Sequence, residues 1–344
     1  MQPTHRYLSN LTPLRGIAAI WVVVFHFSEI VTKFVSTDTS LILTKGYLMV
    51  DLFFILSGFI MTHVYQKSFQ AGVKTGNFRQ FLVARFGRIY PLHFFTLLVM
   101  VLFAFKAGIK SPVQDPAAIS TNLLLIHSFG IHKIFTWNVP SWSISAEWWA
   151  YMVFPFLIVL MYRKKVLTMV LLGLFIILAY LGIMFWFPRV NFFDPGTPVR
   201  HNLDVTFDYG YLRGMAGFIS GILLYKLYES GWLRQVFRKD ITAVLVMLAA
   251  ILSMHFGAND VFTVIFFAAI VFSFALNDEK LHKACNNGIA QYIGKISYSI
   301  YMVQMFIFIP VFMGVIKLPG LIYREHDAYT SFWNGAKFCL LFLI

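Results

Sequence analysis

The sequence predicts an all-α polytopic transmembrane helix bundle of about ten spans, with one short re-entrant or interfacial segment. Three observations carry that prediction. Of the 344 residues, 59% are hydrophobic and only 12% charged, whereas a soluble chain has about a quarter charged residues and needs them to build its surface. Mean hydropathy is +0.72, too apolar for a disordered chain. Apolar runs of about 20 residues, long enough to cross a hydrocarbon core of ~30 Å, recur along the whole length. The 38 Phe residues suit lipid-facing helices. A formal charge of +13 would suggest nucleic acid in a soluble protein. In a membrane protein it reads as basic cytoplasmic loops beside anionic lipid or an anionic substrate, and no nucleic-acid partner is expected. Cys285 and Cys339 are the only cysteines and support neither a disulfide framework nor a zinc site.

Spans are expected at 13–32, 46–66, 88–107, 143–162, 166–187, 209–228, 241–256, 260–276, 296–317 and 331–344. The first carries Arg15, His26 and Glu29 and lacks a small-residue cleavage site, so it is read as a retained helix, not a signal peptide. Segment 117–131 is apolar but short, and it contains Asn122 and His127. Basic residues decide its reading. If it does not cross and the N-terminus is cytoplasmic, 17 of the 28 Lys and Arg lie inside, including Lys67, Lys74, Arg79 and the run Arg163, Lys164, Lys165. If it crosses, that run lies outside. The longest outer loop is 188–208, with Arg189, Asp194, Arg200, Asp204 and Asp208. The whole of 1–344 reads as a single membrane domain without internal repeats. It stops inside an apolar run, so either the last helix ends at the inner face or the chain is cut there.

Ionisable groups inside spans are costly, which makes each a functional candidate. Arg15 and His26 are 11 residues apart, hence about 20° apart in azimuth and ~16 Å apart along a helix. They share a face, Arg15 near the inner surface and His26 in the outer half. Asp51 and Glu147 lie a turn below the outer ends of their own spans, at the level of His26. A His and a carboxylate at one depth suit a base and its orienter; three separate caps would look the same. Arg85 and Arg88, at i and i+3, join Arg15, Lys295 and Tyr298 in an inner layer suited to phosphates. An ordinary positive-inside flank would have the same composition. Ser57 and Gly58 form a small pair in mid-helix that permits close packing. Pro140, Ser141 and Trp142 fit a helix start at the interface, and Trp148, Trp149 and Tyr151 extend that aromatic belt. His63, His93, His127 and His132 show no metal-ligand spacing, so no metal is expected.

Four motifs resemble the membrane acyltransferase-3 family. They are Arg15 with His26 eleven residues on; Gly46 to Phe54 with Asp51, followed by Ser57, Gly58 and Phe59; Arg85, Phe86, Gly87, Arg88, Ile89, Tyr90 and Pro91; and Pro140, Ser141, Trp142 through Glu147. The second half matches through hydropathy and Ser297, Tyr298, Ser299, Ile300 and Tyr301. There the family often continues to a His, and this chain has Gln304. The resemblance implies a multi-pass inner-membrane enzyme with a cytoplasmic N-terminus. It implies transfer of an acyl group, acetyl by expectation, from cytoplasmic acyl-CoA to a hydroxyl of an envelope polysaccharide, lipopolysaccharide or lipid-linked glycan. No permanently bound cofactor is implied; acyl-CoA is the donor substrate. His26 matches the family's essential His, Arg15 its partner, and Arg85 and Arg88 the inner basic pair. On this reading Arg85, Arg88, Arg15 and Tyr298 meet acyl-CoA. His26 is the general base, Glu147 or Asp51 fixes its tautomer, and Ser57, Gly58, Ser141, Trp142 and Tyr301 support the site. A covalent acyl-His26 route stays open. Two other classes remain as alternatives: a proton-coupled transporter using the same buried His, Asp and Glu, and a lipid carrier without chemistry.

Overall fold

A computed structural model describes residues 7–27, 40–106, 112–187 and 201–312. The expected span at 331–344, Cys339, Arg6, Glu29 and most of the 188–208 loop lie outside the described residues. Each of the other nine expected spans falls on a helix. These are α1 (Leu11–His26), α2 (Met49–Phe69, entered through a 3-10 turn Gly46–Leu48), α3 (Thr75–Lys106), α5 (Trp142–Arg163), α6 (Lys165–Leu181, continued by a π-helical turn Gly182–Trp186), α7 (Gly210–Ser230), α9 (Asp240–His255), α10 (Asp260–Leu276) and α12 (Gly288–Phe312). Short helices α4 (Ala118–Leu123), α8 (Arg234–Phe237) and α11 (Lys280–Cys285) lie between them. Among the described residues four helical stretches, at 46–69, 75–106, 139–163 and 165–186, are long and apolar enough to cross a membrane by length and composition. α1, α9 and α10 are apolar but shorter.

The bundle is apolar on its outer surface as well as in its core. Phe94, Phe95, Leu98, Leu102 and Phe105 form an exposed stripe at helical spacing on α3. Val166, Val170, Leu174, Ile177 and Leu178 do so on α6, and Ile241, Val244, Leu245, Leu248 and Leu252 on α9. Such apolar faces are stable against lipid tails and a liability in water. The core between the helices is dominated by fully buried Phe59, Phe69, Phe81, Phe154 and Phe218.

The largest helix interface joins α2 to α7, followed by α1 to α12. Both depend on glycine. A Cβ on Gly58 would lie 1.9 Å from the Phe218 carbonyl oxygen, and one on Gly221 would lie 2.1 Å from that of Ile55. On the other interface a Cβ on Gly294 would meet the Thr12 carbonyl oxygen at 2.1 Å. Backbones can approach this closely only where the side chain is a hydrogen.

α3 and α5 run antiparallel. Phe78 meets Phe156, Phe81 stacks on Phe154, Phe86 meets Trp148, and Thr96 accepts a hydrogen bond from Asn138. The expected non-crossing segment holds only α4, six residues and about 9 Å long. The chain then turns through Leu125, whose φ is 56°. No helix in 117–131 is long enough to span. α3 begins at Thr75, well before the expected start at 88, so Arg85 and Arg88 stand within a helix and not at its flank.

Candidate active site

α2 sends one face into a cavity of about 220 Å³. Val50, Phe53, Phe54, Ser57, Ile60, Met61, Val64 and Tyr65 repeat at three- and four-residue spacing along it. From Val50 to Tyr65 that face covers about 22 Å of helix. The remaining walls come from the other motifs: Arg15 of α1, Arg85 and Arg88 of α3, Ser143, Glu147 and Tyr151 of α5, and Tyr298 and Tyr301 of α12. Residues from five helices, scattered between positions 15 and 301, therefore meet in one place.

Three guanidinium groups face one carboxylate there. Arg85 donates through Nη2 to the Tyr65 hydroxyl at 3.0 Å and lies over the Tyr65 ring. Its buried Nε has no partner. Among the described residues neither Arg15 nor Arg88 is in an ion pair. Arg15 is close enough to Arg88 and Glu147 for both charges to act on it. Net positive charge in a partly dry cleft is the kind of surface that suits an anion such as phosphate.

Glu147 is held at the cavity wall. Its Oε1 accepts from Ser57 Oγ at 2.8 Å and from the Tyr151 hydroxyl, and those two oxygens are 3.1 Å apart. Tyr301 lines the cavity beside Phe53. Its hydroxyl donates to the Pro140 carbonyl at 3.0 Å and accepts from Ser143 at 2.9 Å, while Phe53 packs edge-on against the ring. Tyr298 donates to the Ile89 carbonyl, tying α12 to α3.

His26 does not line the cavity. Gln304, one turn beyond Tyr301 on α12, adjoins its imidazole. His26 Nδ1 lies 2.9 Å from the Val22 carbonyl oxygen. A carbonyl only accepts, so Nδ1 carries the proton and Nε2 keeps its lone pair. The expectation that Glu147 or Asp51 sets this tautomer is corrected: neither is bonded to His26, and the backbone of α1 does that work. Glu147 sits with the arginines instead. Asp51 has a different partner altogether, Arg213 of α7. Nε of Arg213 is 3.1 and 3.3 Å from the two carboxylate oxygens and Nη2 is 2.6 Å from one of them. Arg213 also donates to Val205 and Tyr47 carbonyls and lies over Trp142, and both charged side chains are 0% exposed.

Of the expected supporting residues, Ser57 and Tyr301 line the cavity. Gly58 faces α7, Trp142 covers Arg213, and Ser141 bonds to His127 at 3.1 Å. The sequence reading passed over Arg213 and Tyr65. Arg213 carried a signal, being a lone Arg inside an apolar run that requires a buried partner. Tyr65 carried none.

The bundle and its arginine-lined cavity define a multi-helix membrane protein. The family model described as an acyltransferase domain, of the acyltransferase-3 type, matches residues 9–344, and the chain belongs to that family. Protein 2 in the picA locus of Rhizobium radiobacter is 36% identical over 116 residues, 33% of this chain and 55% of that protein. Acyltransferase MdmB of Streptomyces mycarofaciens is 32% identical over 164 residues, 45% of this chain and 40% of its own length. Peptidoglycan O-acetyltransferase OatA of Listeria monocytogenes is 24% identical over 185 residues, 50% of this chain and 28% of its own length. The chain thus spans about half or less of these curated relatives. No solved structure matches it.

Proposed function

We propose that the chain is an integral-membrane O-acyltransferase of the inner membrane, moving an acyl group, taken here as acetyl, from cytoplasmic acyl-CoA to a hydroxyl of an envelope glycan. The observation that carries this reading is the cavity. Three arginines stand against one carboxylate along about 22 Å of α2, with an imidazole of defined tautomer just beyond its Tyr301 end. Acyl transfer to glycan is what the names of the OatA and MdmB relatives suggest in whole or part.

Arg15, Arg85 and Arg88 take the phosphates of the donor, and the apolar face of α2 takes its thin acyl-bearing arm. Tyr301 turns aside to let the thioester reach His26. Nε2 of His26 accepts the proton of the acceptor hydroxyl as that oxygen attacks the thioester carbonyl. The C–S bond breaks, and the leaving thiolate recovers the proton from the imidazolium. Base assistance of this kind contributes ~10²–10⁴ in rate. Glu147 offsets part of the arginine charge and fixes the wall through Ser57 and Tyr151.

The test adds labelled acetyl-CoA and an envelope-glycan extract to the purified full chain. The native chain transfers label. His26→Ala keeps acetyl-CoA binding and loses at least ~10² in transfer; Arg88→Gln loses donor affinity, by ~1–3 kcal/mol for a charged hydrogen bond. A well-inserted His26→Ala chain that transfers at the native rate sinks the mechanism. A native chain that labels nothing sinks the reaction class.

A further inference from the structure

Beyond Tyr301, away from the arginines, lies a buried polar layer that the donor cavity does not use. It is built by His93 and Thr96 of α3, Asn122 of α4, His127 and Asn138 of the following loop, and Gln304 of α12, all at most 3% exposed. The His93 and His127 rings stack with centroids 5.9 Å apart and planes 2° from parallel. His93 Nε2 donates to the Asn122 carbonyl at 3.0 Å, and Asn138 Nδ2 donates to Thr96 at 3.2 Å and to the Met302 carbonyl at 3.3 Å. On one side Ser141, at the start of α5, bonds to His127, and Ser143 two residues on lines the cavity. On the other it is covered by an apolar cluster of Leu97, Met100, Ala118, Trp137 and Met305.

Within this layer five buried polar atoms make no hydrogen bond: His93 Nδ1, His127 Nδ1, Asn122 Oδ1, Asn138 Oδ1 and Gln304 Oε1. Folded proteins pair nearly all such atoms, and leaving each unpaired is costly. Five in one layer, between an apolar cluster and the cavity wall, is an arrangement waiting for partners. Three are carboxamide oxygens that accept, and the imidazole nitrogens accept or donate by tautomer. Their complement is a set of hydroxyl groups. No Asp, Glu, Lys or Arg belongs to the layer, so it offers nothing to an ionised ligand, in contrast to the arginine-lined cavity. Gln304 links it to His26.

We propose that this layer is the acceptor subsite, in which His93, Asn122, His127, Asn138 and Gln304 hold the neutral hydroxyls of a sugar next to His26. The proposal rests on the acyltransferase reading and deepens it. It separates the two substrates by charge: the anionic donor on the arginine side of Tyr301 and the uncharged acceptor on the other. The loop 124–138 supplies His127 and Asn138 to the layer, and within it Leu125 and Trp137 both have positive φ.

The experiment measures two quantities on the purified full chain. One is labelled acetyl-CoA binding without glycan. The other is the glycan-extract concentration giving half-maximal transfer. For His127→Phe, which keeps a ring against His93, and for Asn138→Ala, acetyl-CoA binding stays within about twofold of native. The half-saturating glycan concentration rises about tenfold or more, the effect of one or two lost hydrogen bonds. The native chain supplies a readout that needs no variant: methyl glucoside competes with the glycan, and methyl glucuronide does not. Unchanged glycan dependence in a folded variant overturns the proposal and leaves a layer that holds water only. So does loss of donor binding in step with glycan affinity, or equal or absent competition by the two sugars. A native chain with no transfer fails the acyltransferase reading itself, and that is seen before any variant is compared.

Discussion

Asp51 and Arg213 exchange three hydrogen bonds in a place that water does not reach. Removing one partner of such a pair leaves an uncompensated buried charge, at a cost of about 3–5 kcal/mol, whereas replacing both with apolar side chains is often nearly neutral. Asp51→Asn is therefore expected to lower the thermal midpoint and the yield of folded protein sharply. The pair Asp51→Leu with Arg213→Met is expected to restore much of both. A single Asp51→Asn chain with native stability and reduced transfer would return Asp51 to the catalytic group. The case shows where the sequence stops speaking. That Asp51 needed a partner was legible from its place in an apolar run; that the partner lies 162 residues on was not, because depth along a helix says nothing about which helix stands beside it. The same blindness put Glu147 with His26. Arg15, Arg85 and Arg88 were read more fully, since their common depth and helical spacing need only α1, α3 and α12 to be neighbours.

Helices were the most legible level, because an apolar run of about 20 residues in lipid has no other way to satisfy its backbone. Their ends were less so. The first turns of α3 are polar, which hydropathy reads as loop, although Thr75 to Arg88 has no helix breaker beyond single glycines. What hydropathy misses entirely is how close two helices stand. Gly58 and Gly221 let α2 and α7 touch backbone to backbone, and α2 is the helix that carries the cavity's longest wall. Gly58→Ala has to push a carbonyl away by more than 1 Å. Overpacking of this kind costs about 1–3 kcal/mol. Gly173 on α6 has nothing within 4 Å of an added Cβ, so Gly173→Ala should be neutral or stabilising by up to ~1 kcal/mol through helix propensity. Melting both variants in detergent by fluorescence-detected size exclusion checks the contrast. Equal midpoints for the two would mean that α2 and α7 are not in the close contact described.

At the scale of the whole molecule, the two faces of the bundle are set by one stretch of chain. α3 and α5 are antiparallel neighbours, with Phe78 beside Phe156 at one end and Thr96 beside Asn138 at the other. The chain between them holds only the six residues of α4 as α-helix among its described residues, and six residues reach about 9 Å of the ~30 Å needed to cross. The two helices thus begin and end on opposite faces without a crossing in between, and Thr75 lies on the same face as Arg163. That face gathers Lys67, Lys74 and Arg79 with Arg163, Lys164 and Lys165, a density of positive charge from which the positive-inside rule predicts a cytoplasmic face. Under the proposed function it is also the side from which Arg85 and Arg88 would receive a cytoplasmic donor. A single Cys placed at Lys165, in a chain whose Cys285 and Cys339 are replaced by Ser, is expected to resist a membrane-impermeant thiol reagent in intact cells and to react once the membrane is opened. Fast labelling in intact cells would put the basic cluster outside. It would require 107–141 to cross after all, and it would turn the arginine-lined cavity away from the compartment that holds acyl-CoA.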